Sequence, residues 1–241
     1  MWTSETLLES IEAAVTKAAR RVEAEQSWRG VDAFDEIEWH AEMAAAFRAA
    51  GFGAHRETLY PGQRQRQGAK ARLPRERERC DLALTERAGL QIGDGEEAGR
   101  RAEREAGGGL FNAVAQARAE AETKGLADHA DVCWLEFKAV GQFAYCDGAP
   151  GPNAKYASEL VAALRDVTKL ARDPGIVHGW LCVLLFARDE ATARHDLHAA
   201  AQAAIGKGTP VIDTHVRAWP IPDRIGNSVA SAGLYRAAVM A

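Results

Sequence analysis

The chain has 241 residues, of which 47% are apolar, and its 30 basic and 34 acidic residues give a formal net charge of −4. This length is typical of one domain, or of one domain with an insertion, and the apolar content is sufficient for a full hydrophobic core. The nearly balanced charge excludes a chain that is attracted as a whole to nucleic acid or to a membrane surface, so electrostatic partners must be sought in local patches.

The first part of the chain predicts two helices and a strand. Apolar residues from Leu7 to Val22 recur at helical spacing, and a second helix is predicted from about Ala33 to Ala50, where Gly51 ends it. We expect the second helix to place Ile37 on its apolar face together with Phe47. A strand-like segment, GAHRETLY, follows and ends at a Pro-Gly pair.

A basic run and a second strand come next. Residues 62–79 contain seven basic and two acidic residues, and they lead directly into CDLALTE, residues 80–86, which alternates well enough for a half-buried strand. The tract from Arg87 to Gly109 is rich in glycine and charge, and a helix is predicted from about Leu110 to Thr123. Residues 87–127 therefore predict an inserted segment that is charged and partly helical.

The following strand carries charges inside an apolar run. In VCWLEFKAVGQF, residues 132–143, Glu136 and Lys138 stand among large apolar residues. Because successive side chains of a strand alternate between the two faces, Glu136 and Lys138 point to the same face and share one site.

The C-terminal half alternates helices and strands. AKYASELVAALRDVTKLARD predicts one long helix, on which Asp166 and Lys169 are interpreted as an ordinary salt bridge between positions i and i+3. HGWLCVLLFA predicts a strand buried on both faces, because nearly every position is apolar. A helix from Asp189 to Ile205 and an edge-like strand around TPVIDTHVRAW complete the series.

This order of elements predicts an α/β fold whose sheet is covered on both faces. We expect an N-terminal helix in residues 1–30, a core in residues 31–217 that contains the insertion at 87–127, and a C-terminal extension in residues 218–241. The four cysteines form no C-x-x-C pair, and the longest apolar run is far shorter than the roughly 18 residues that a membrane span needs. We therefore expect a cytoplasmic protein with no membrane partner.

The residue types around Glu136 predict a metal site. Asp81 opens the preceding strand in apolar surroundings, and two carboxylates on adjacent strands repel each other unless a cation offsets their charge. Carboxylates with open positions suit Mg²⁺ (or Mn²⁺), which substrate phosphate oxygens would complete. Lys138 would position or deprotonate the attacking water and offset charge on the phosphate oxygens. The pattern predicts hydrolysis of phosphodiesters.

Together these pieces resemble the PD-(D/E)xK nuclease superfamily. The shared pattern is an acid on a helix before the sheet, an Asp that opens one strand, an E-x-K on the next, and then a helix and an apolar strand. The resemblance implies a restriction-endonuclease-like fold, a mixed central sheet flanked by helices. It implies that Asp81 and Glu136 bind the metal with the main-chain carbonyl of Phe137, that Lys138 is the catalytic lysine, and that Glu42 is the helical acid.

One alternative for the first metal ligand stays open. The motif of this superfamily begins with Pro, where this chain has Cys80, and 55 positions separate Asp81 from Glu136. If the intervening segment did not loop out, the first ligand would be one of three other acids, Glu86, Asp128 or Asp131.

The basic run beside this site predicts contact with a phosphate backbone. It contains no aromatic residue for stacking on bases. We expect nucleic acid, with DNA favoured, as the partner, and a homodimer would allow both strands to be cut. The predicted contact residues are Arg64, Arg66, Lys70, Arg72, Arg75, Arg77 and Arg79.

Two other functions fit the same residues. The fold can serve as a noncatalytic nucleic-acid-binding or assembly module, since a fold alone does not determine function. Alternatively, Asp81, Glu136 and Lys138 can form a purely structural charged group. Metal-dependent cleavage would separate the nuclease from both alternatives, and salt-sensitive DNA binding without cleavage would select the module.

Overall fold

Two capped helices begin the fold in the computed structural model, which describes residues 2–62, 78–93, 124–146 and 148–239. They are α1 (Ser4–Ala24) and α2 (Glu36–Ala49). Asp35 and Glu38 form a capping box that starts α2 at Glu36. The buried stripe of α2 runs through Trp39, Met43 and Phe47, so Ile37 lies on the other side and is 67% exposed. The predicted place of Ile37 on the apolar face is therefore wrong.

The remaining helices and strands alternate along the described residues. In chain order they are β1 (Gly53–Leu59), β2 (Arg79–Thr85), β3 (Gln91–Ile92), β4 (Leu126–Ala127), β5 (Cys133–Gly141), β6 (Phe143–Cys146), β7 (Ala149–Pro152), α3 (Tyr156–Ala163), α4 (Val167–Arg172), β8 (His178–Ala187), α5 (Glu190–Ile205), β9 (Val211–Pro220) and β10 (Val229–Ala237).

Six of these strands form one mixed sheet in the order β1-β2-β5-β8-β10-β9. β5 and β8 are parallel, and the other neighbours in the sheet are antiparallel. This arrangement confirms the predicted α/β class, and β9 is an edge strand, as the sequence indicates.

The structure corrects the prediction for residues 218–241. They do not form an extension, because they supply β10, which lies between β8 and β9. β10 is buried on both faces and consists largely of Ala, Ser and Gly, so its sequence lacks the alternation of polar and apolar residues that identifies a half-buried strand.

Helices cover both faces of the sheet. α1 and α2 pack on one face with side chains such as Leu82, Leu135 and Phe137. On the other face, α3, α4 and α5 pack with side chains such as Trp134 and Leu181. Among the described residues, no helix is both long and apolar enough to cross a membrane.

Two irregular regions bear on the site. The single helix predicted for residues 154–173 is divided into α3 and α4 by a 3₁₀ turn at Leu164–Asp166. Between β2 and β5, the short strands β3 and β4 pair with each other in parallel. This pairing brings residues 91–92 next to residues 126–127, so the two ends of the inserted segment lie side by side. Asp81 can therefore lie next to β5 despite its distance in sequence. The helix predicted at 110–123 lies outside the described residues.

Candidate metal and catalytic site

The site forms where β2 and β5 separate. Their ladder pairs Cys133, Trp134 and Leu135 with β2 and stops there, so the next pair, Asp81 with Glu136, is not part of it. Instead, an Asp81 carboxylate oxygen accepts a hydrogen bond of 2.8 Å from the backbone N–H of Phe137. On the β1 side the ladder also omits Asp81, and Glu57 opposite has a φ of 52°. A positive φ is rare for a residue other than glycine and often marks a functional position.

α2 places two further candidate ligands beside Asp81. Glu36 and His40 are one helical turn apart and therefore share a face. The Nε2 atom of His40 lies 3.9 Å from Oε1 of Glu36 and 3.8 Å from Oδ2 of Asp81. One ligand atom from each of the three residues lies within 4.8 Å of the others.

His40 is a buried side chain whose two ring nitrogens have no hydrogen-bond partner. Only 3% of His40 is exposed, and neither of its ring nitrogens makes a hydrogen bond. Burial of a polar group without a hydrogen bond is costly. Nδ1 of His40 also lies 3.8 Å from Oε1 of Glu57. All three separations from carboxylate oxygens are too long for hydrogen bonds, but the two from Nε2 are shorter than twice a metal–ligand distance of about 2.1 Å. A divalent cation would satisfy all three residues.

Glu136 occupies a different position from the one predicted. It is 2% exposed, it accepts a hydrogen bond from the hydroxyl of Tyr60, and it is not a member of the Glu36, His40 and Asp81 group. Burial raises the pKa of Glu136 to about 8, and the charge of Asp81 acts in the same direction. Glu136 is therefore protonated at neutral pH until a cation nearby favours its ionised form.

The raised pKa of Glu136 predicts a stability that depends on pH. Between the ordinary pKa of 4.5 and about 8, the folded chain keeps a proton on Glu136 that the unfolded chain has lost. The free energy of unfolding should therefore fall as pH rises through this range, by at most about 1.4 kcal/mol per pH unit. Glu136→Gln should flatten this slope, as measured by urea unfolding in EDTA from pH 5 to pH 8.5. An equally steep slope in the variant would assign the effect to other groups.

Lys138 stands beside the candidate ligands as a charged ammonium group. Its Nζ lies 2.7 Å from Oε1 of Glu36 and 3.6 Å from Oδ2 of Asp166. Burial lowers the pKa of Lys138, but the hydrogen bond to Glu36 and the charges of Asp81, Glu36 and Asp166 outweigh it, so the net shift is upward. Of the two roles predicted for Lys138, positioning water and offsetting negative charge fits this ammonium better than deprotonating the water.

The structure places the helical acid elsewhere than predicted. The carboxylate of Glu42 forms an ion pair with Arg21 of α1 at 2.8 Å, because Glu42 lies on the face of α2 that turns toward α1. Glu36 is the acid that α2 brings to Asp81. The amide N–H of Phe137 contacts Asp81, while the role of its carbonyl as a ligand stays a prediction.

The other predicted residues lie near the ends of β2 and β5 or outside the described residues. Glu86 and Asp131 line a separate cavity of about 220 Å³ beside Trp2 and His178, past the end of β2 and before the start of β5. Asp128 is exposed, accepts a hydrogen bond of 2.9 Å from the backbone N–H of Ala130, and is not a member of the Glu36, His40 and Asp81 group. Asp81 therefore remains the first candidate ligand. Residues 64–77, with six of the seven predicted basic contacts, lie outside the described residues. Arg79 is described and exposed, and it donates to the backbone carbonyl of Glu57 at 2.7 Å.

Three residues of the site were missed by the sequence analysis: Glu36, His40 and Tyr60. The spacing E-x-x-x-H in the first turns of α2 is a signal for the first two, because it places both on one face. Tyr60 follows β1 and carries no comparable signal.

Comparisons with protein-family models, with curated proteins and with solved structures found no match to this chain.

Proposed function

We propose that this protein is a Mg²⁺- or Mn²⁺-dependent nuclease that hydrolyses phosphodiester bonds of nucleic acid, with DNA as the favoured substrate. The observation that carries the proposal is the convergence of Glu36, His40 and Asp81 on one point, with an ammonium group, Lys138, hydrogen-bonded to one of them. Metal-assisted hydrolysis of a phosphodiester uses side chains that hold the metal and a positive group that stabilises charge in the transition state. Here the three candidate ligands would do the first and Lys138 the second.

The order of elements supports the same proposal. α2, β1, β2, β5, the α3–α4 pair and β8 occur in this order along the chain, with the short pairs β3–β4 and β6–β7 between them. The strands β1, β2, β5 and β8 are neighbours in the main sheet in the same order. This is the order that the PD-(D/E)xK resemblance implies, with the Asp and the E-x-K on adjacent strands. The specific restriction-endonuclease-like fold is part of the proposal.

Each residue has a distinct task in this proposal. Asp81, Glu36 and His40 would hold the metal, and Glu136 would join them when it loses its proton. The metal would polarise the scissile phosphodiester and acidify a bound water. The Lys138 ammonium would hold that water or a phosphate oxygen and stabilise the charge that develops in the transition state.

The ligand types also indicate which metal serves best. Carboxylates alone favour Mg²⁺, whereas an imidazole nitrogen suits first-row transition metals. With His40 in the set, Mn²⁺ should bind more tightly than Mg²⁺ and support cleavage at lower concentrations.

The proposal is tested by incubating the purified protein with supercoiled plasmid, linear duplex DNA, single-stranded DNA and RNA, each with Mg²⁺, Mn²⁺ or EDTA. We expect DNA cleavage with either metal, none with EDTA, and none in Asp81→Asn. Asp131→Asn, which alters a carboxylate in the separate cavity, should cleave like the wild type. Salt-sensitive DNA binding without cleavage in any metal would instead select the noncatalytic module.

A further inference from the structure

α4 brings a second lysine to the edge of the site. The Nζ atom of Lys169 lies 2.8 Å from Oδ1 of Asp166, while Oδ2 of the same carboxylate lies 3.6 Å from Nζ of Lys138. Asp166 thus stands between two lysines. The side chain of Lys169 is 42% exposed and that of Lys138 is 26% exposed, so Lys169 is the more accessible of the two lysines.

Asp166 is the last residue of the 3₁₀ turn between α3 and α4, and Lys169 lies in the first turn of α4. Asp166 and Lys169 form the i,i+3 salt bridge that the sequence predicts, but Asp166 is only 15% exposed and also lies near Lys138. The turn Leu164–Asp166 interrupts the helix, and a 3₁₀ stretch inside a helix often marks a hinge or local strain. Burial lowers the pKa of Lys169, but the hydrogen bond to Asp166 and the charges of Glu136 and Asp166 outweigh this effect. Lys169 is therefore within electrostatic reach of Glu136 and is charged.

The balance of charge indicates what Lys169 does. Four carboxylates, those of Glu36, Asp81, Glu136 and Asp166, face two lysines, Lys138 and Lys169. The carboxylate of Glu57 also lies near His40, but it is more than half exposed, so solvent and salt screen its charge. When all are ionised, two negative charges remain, which one divalent cation would neutralise. A phosphodiester carries one negative charge, so it could approach this site without repulsion only while both lysines are present.

We propose that Lys169 is a second cationic residue of the site and contacts a phosphate group of the nucleic-acid substrate. Asp166 is the positioning residue that holds Lys169 and Lys138 side by side. This inference rests on the proposed nuclease function and adds to it a residue for substrate binding.

The test compares Lys169→Gln, Lys169→Arg and a matched control, Lys207→Gln, which removes the same charge from an exposed lysine in the turn after α5. Steady-state cleavage of duplex DNA with Mn²⁺ should show KM raised about tenfold in Lys169→Gln, with kcat within about twofold of the wild type. Lys169→Arg should restore most of the loss, and the control should change neither constant.

A measurement without DNA provides an independent readout. Calorimetric titration with Mn²⁺ alone should show binding a few times tighter in Lys169→Gln than in the wild type, because a cation beside the carboxylates has been removed. A merely structural defect would weaken metal binding instead.

The positioning role of Asp166 is tested by measuring kcat and KM separately in two variants. Asp166→Asn should lower kcat, because Lys138 loses one of its two carboxylate partners, and raise KM through the displaced Lys169. Asp166→Glu should recover part of both. Equal loss in Asp166→Asn and Asp166→Glu, with unchanged KM, would contradict the positioning role.

The outcomes separate this inference from the proposed function. If the wild type cleaves DNA and Lys169→Gln has an unchanged KM, or if Lys207→Gln raises KM equally, the role of Lys169 is refuted and the nuclease stands. If the wild type binds Mn²⁺ but cleaves no nucleic acid, the proposed function fails and the role of Lys169 fails with it.

Discussion

Lys138→Met should reduce kcat for nucleic-acid cleavage by about two to three orders of magnitude, the cost of losing one electrostatic stabiliser of the transition state. The side chain is 26% exposed and its ammonium group is hydrogen-bonded to Glu36. Methionine keeps most of the aliphatic stem and removes only the charged end, so the fold should be nearly unchanged. KM should rise as it does in Lys169→Gln, because one of the two positive charges of the site is lost, but only Lys138→Met should also lose kcat.

The control for this variant is Lys17→Met, which removes an exposed lysine from α1. It should cleave like the wild type. Binding of Mn²⁺ to Lys138→Met should be retained or tightened, because Glu36 loses a competing cation. Unchanged turnover in Lys138→Met would show that Lys138 is not the catalytic lysine, whereas loss of both turnover and metal binding would indicate a damaged site.

The strand that carries Glu136 and Lys138 could be predicted from its sequence. A strand has a period of two residues, and large apolar residues on both sides of the charges show that the strand is buried. The structure confirms both points, because β5 lies inside the sheet with Trp134, Leu135 and Phe137 fully buried. Local periodicity was sufficient here because it depends on the backbone of one element alone.

The partners of these charges could not be predicted in the same way. Choosing between Glu36 and Glu42 requires knowing which face of α2 turns toward the sheet, and both faces of this helix are in contact with protein. The face with Glu42 meets Arg21 of α1, and the face with Glu36 and His40 meets β2 and β5. The packing of α2 against α1 on one side and against the sheet on the other therefore determines which acid reaches Asp81.

The separation of β2 from β5 beyond Leu82 and Leu135 also could not be predicted from sequence patterns. Residues from both helical layers meet in this gap, since Lys138 contacts Glu36 from one layer and Asp166 from the other. In the gap, the side chain of Asp81 accepts a hydrogen bond from the backbone of β5 in place of a backbone carbonyl. On the other side of Asp81, Glu57 of β1 has an irregular backbone with a positive φ. Alternation along one strand contains no information about either feature.

Mn²⁺ should raise the melting temperature of the wild type, and His40→Gln should remove most of this increase. A ligand that binds only the folded chain at 100 times its Kd stabilises it by about 2.7 kcal/mol. For a chain of this size that corresponds to a shift of roughly 5 to 10 °C. His40 makes no hydrogen bond without a metal, so its replacement by a side chain of similar size should cost little stability in EDTA.

A set of carboxylate variants measured in the same way would define the ligands. Asp81→Asn should abolish the Mn²⁺-induced shift, because Asp81 is in contact range of His40 and lies on β2 opposite Glu136 of β5. Glu136→Gln should reduce the shift most at high pH, where the wild-type carboxyl is ionised. Asp131→Asn, in the separate cavity, should leave the shift unchanged. If His40→Gln kept the full shift while Asp81→Asn and Glu136→Gln both lost it, the ion would lie between the two strands, as the sequence alone predicts, and α2 would contribute no nitrogen ligand.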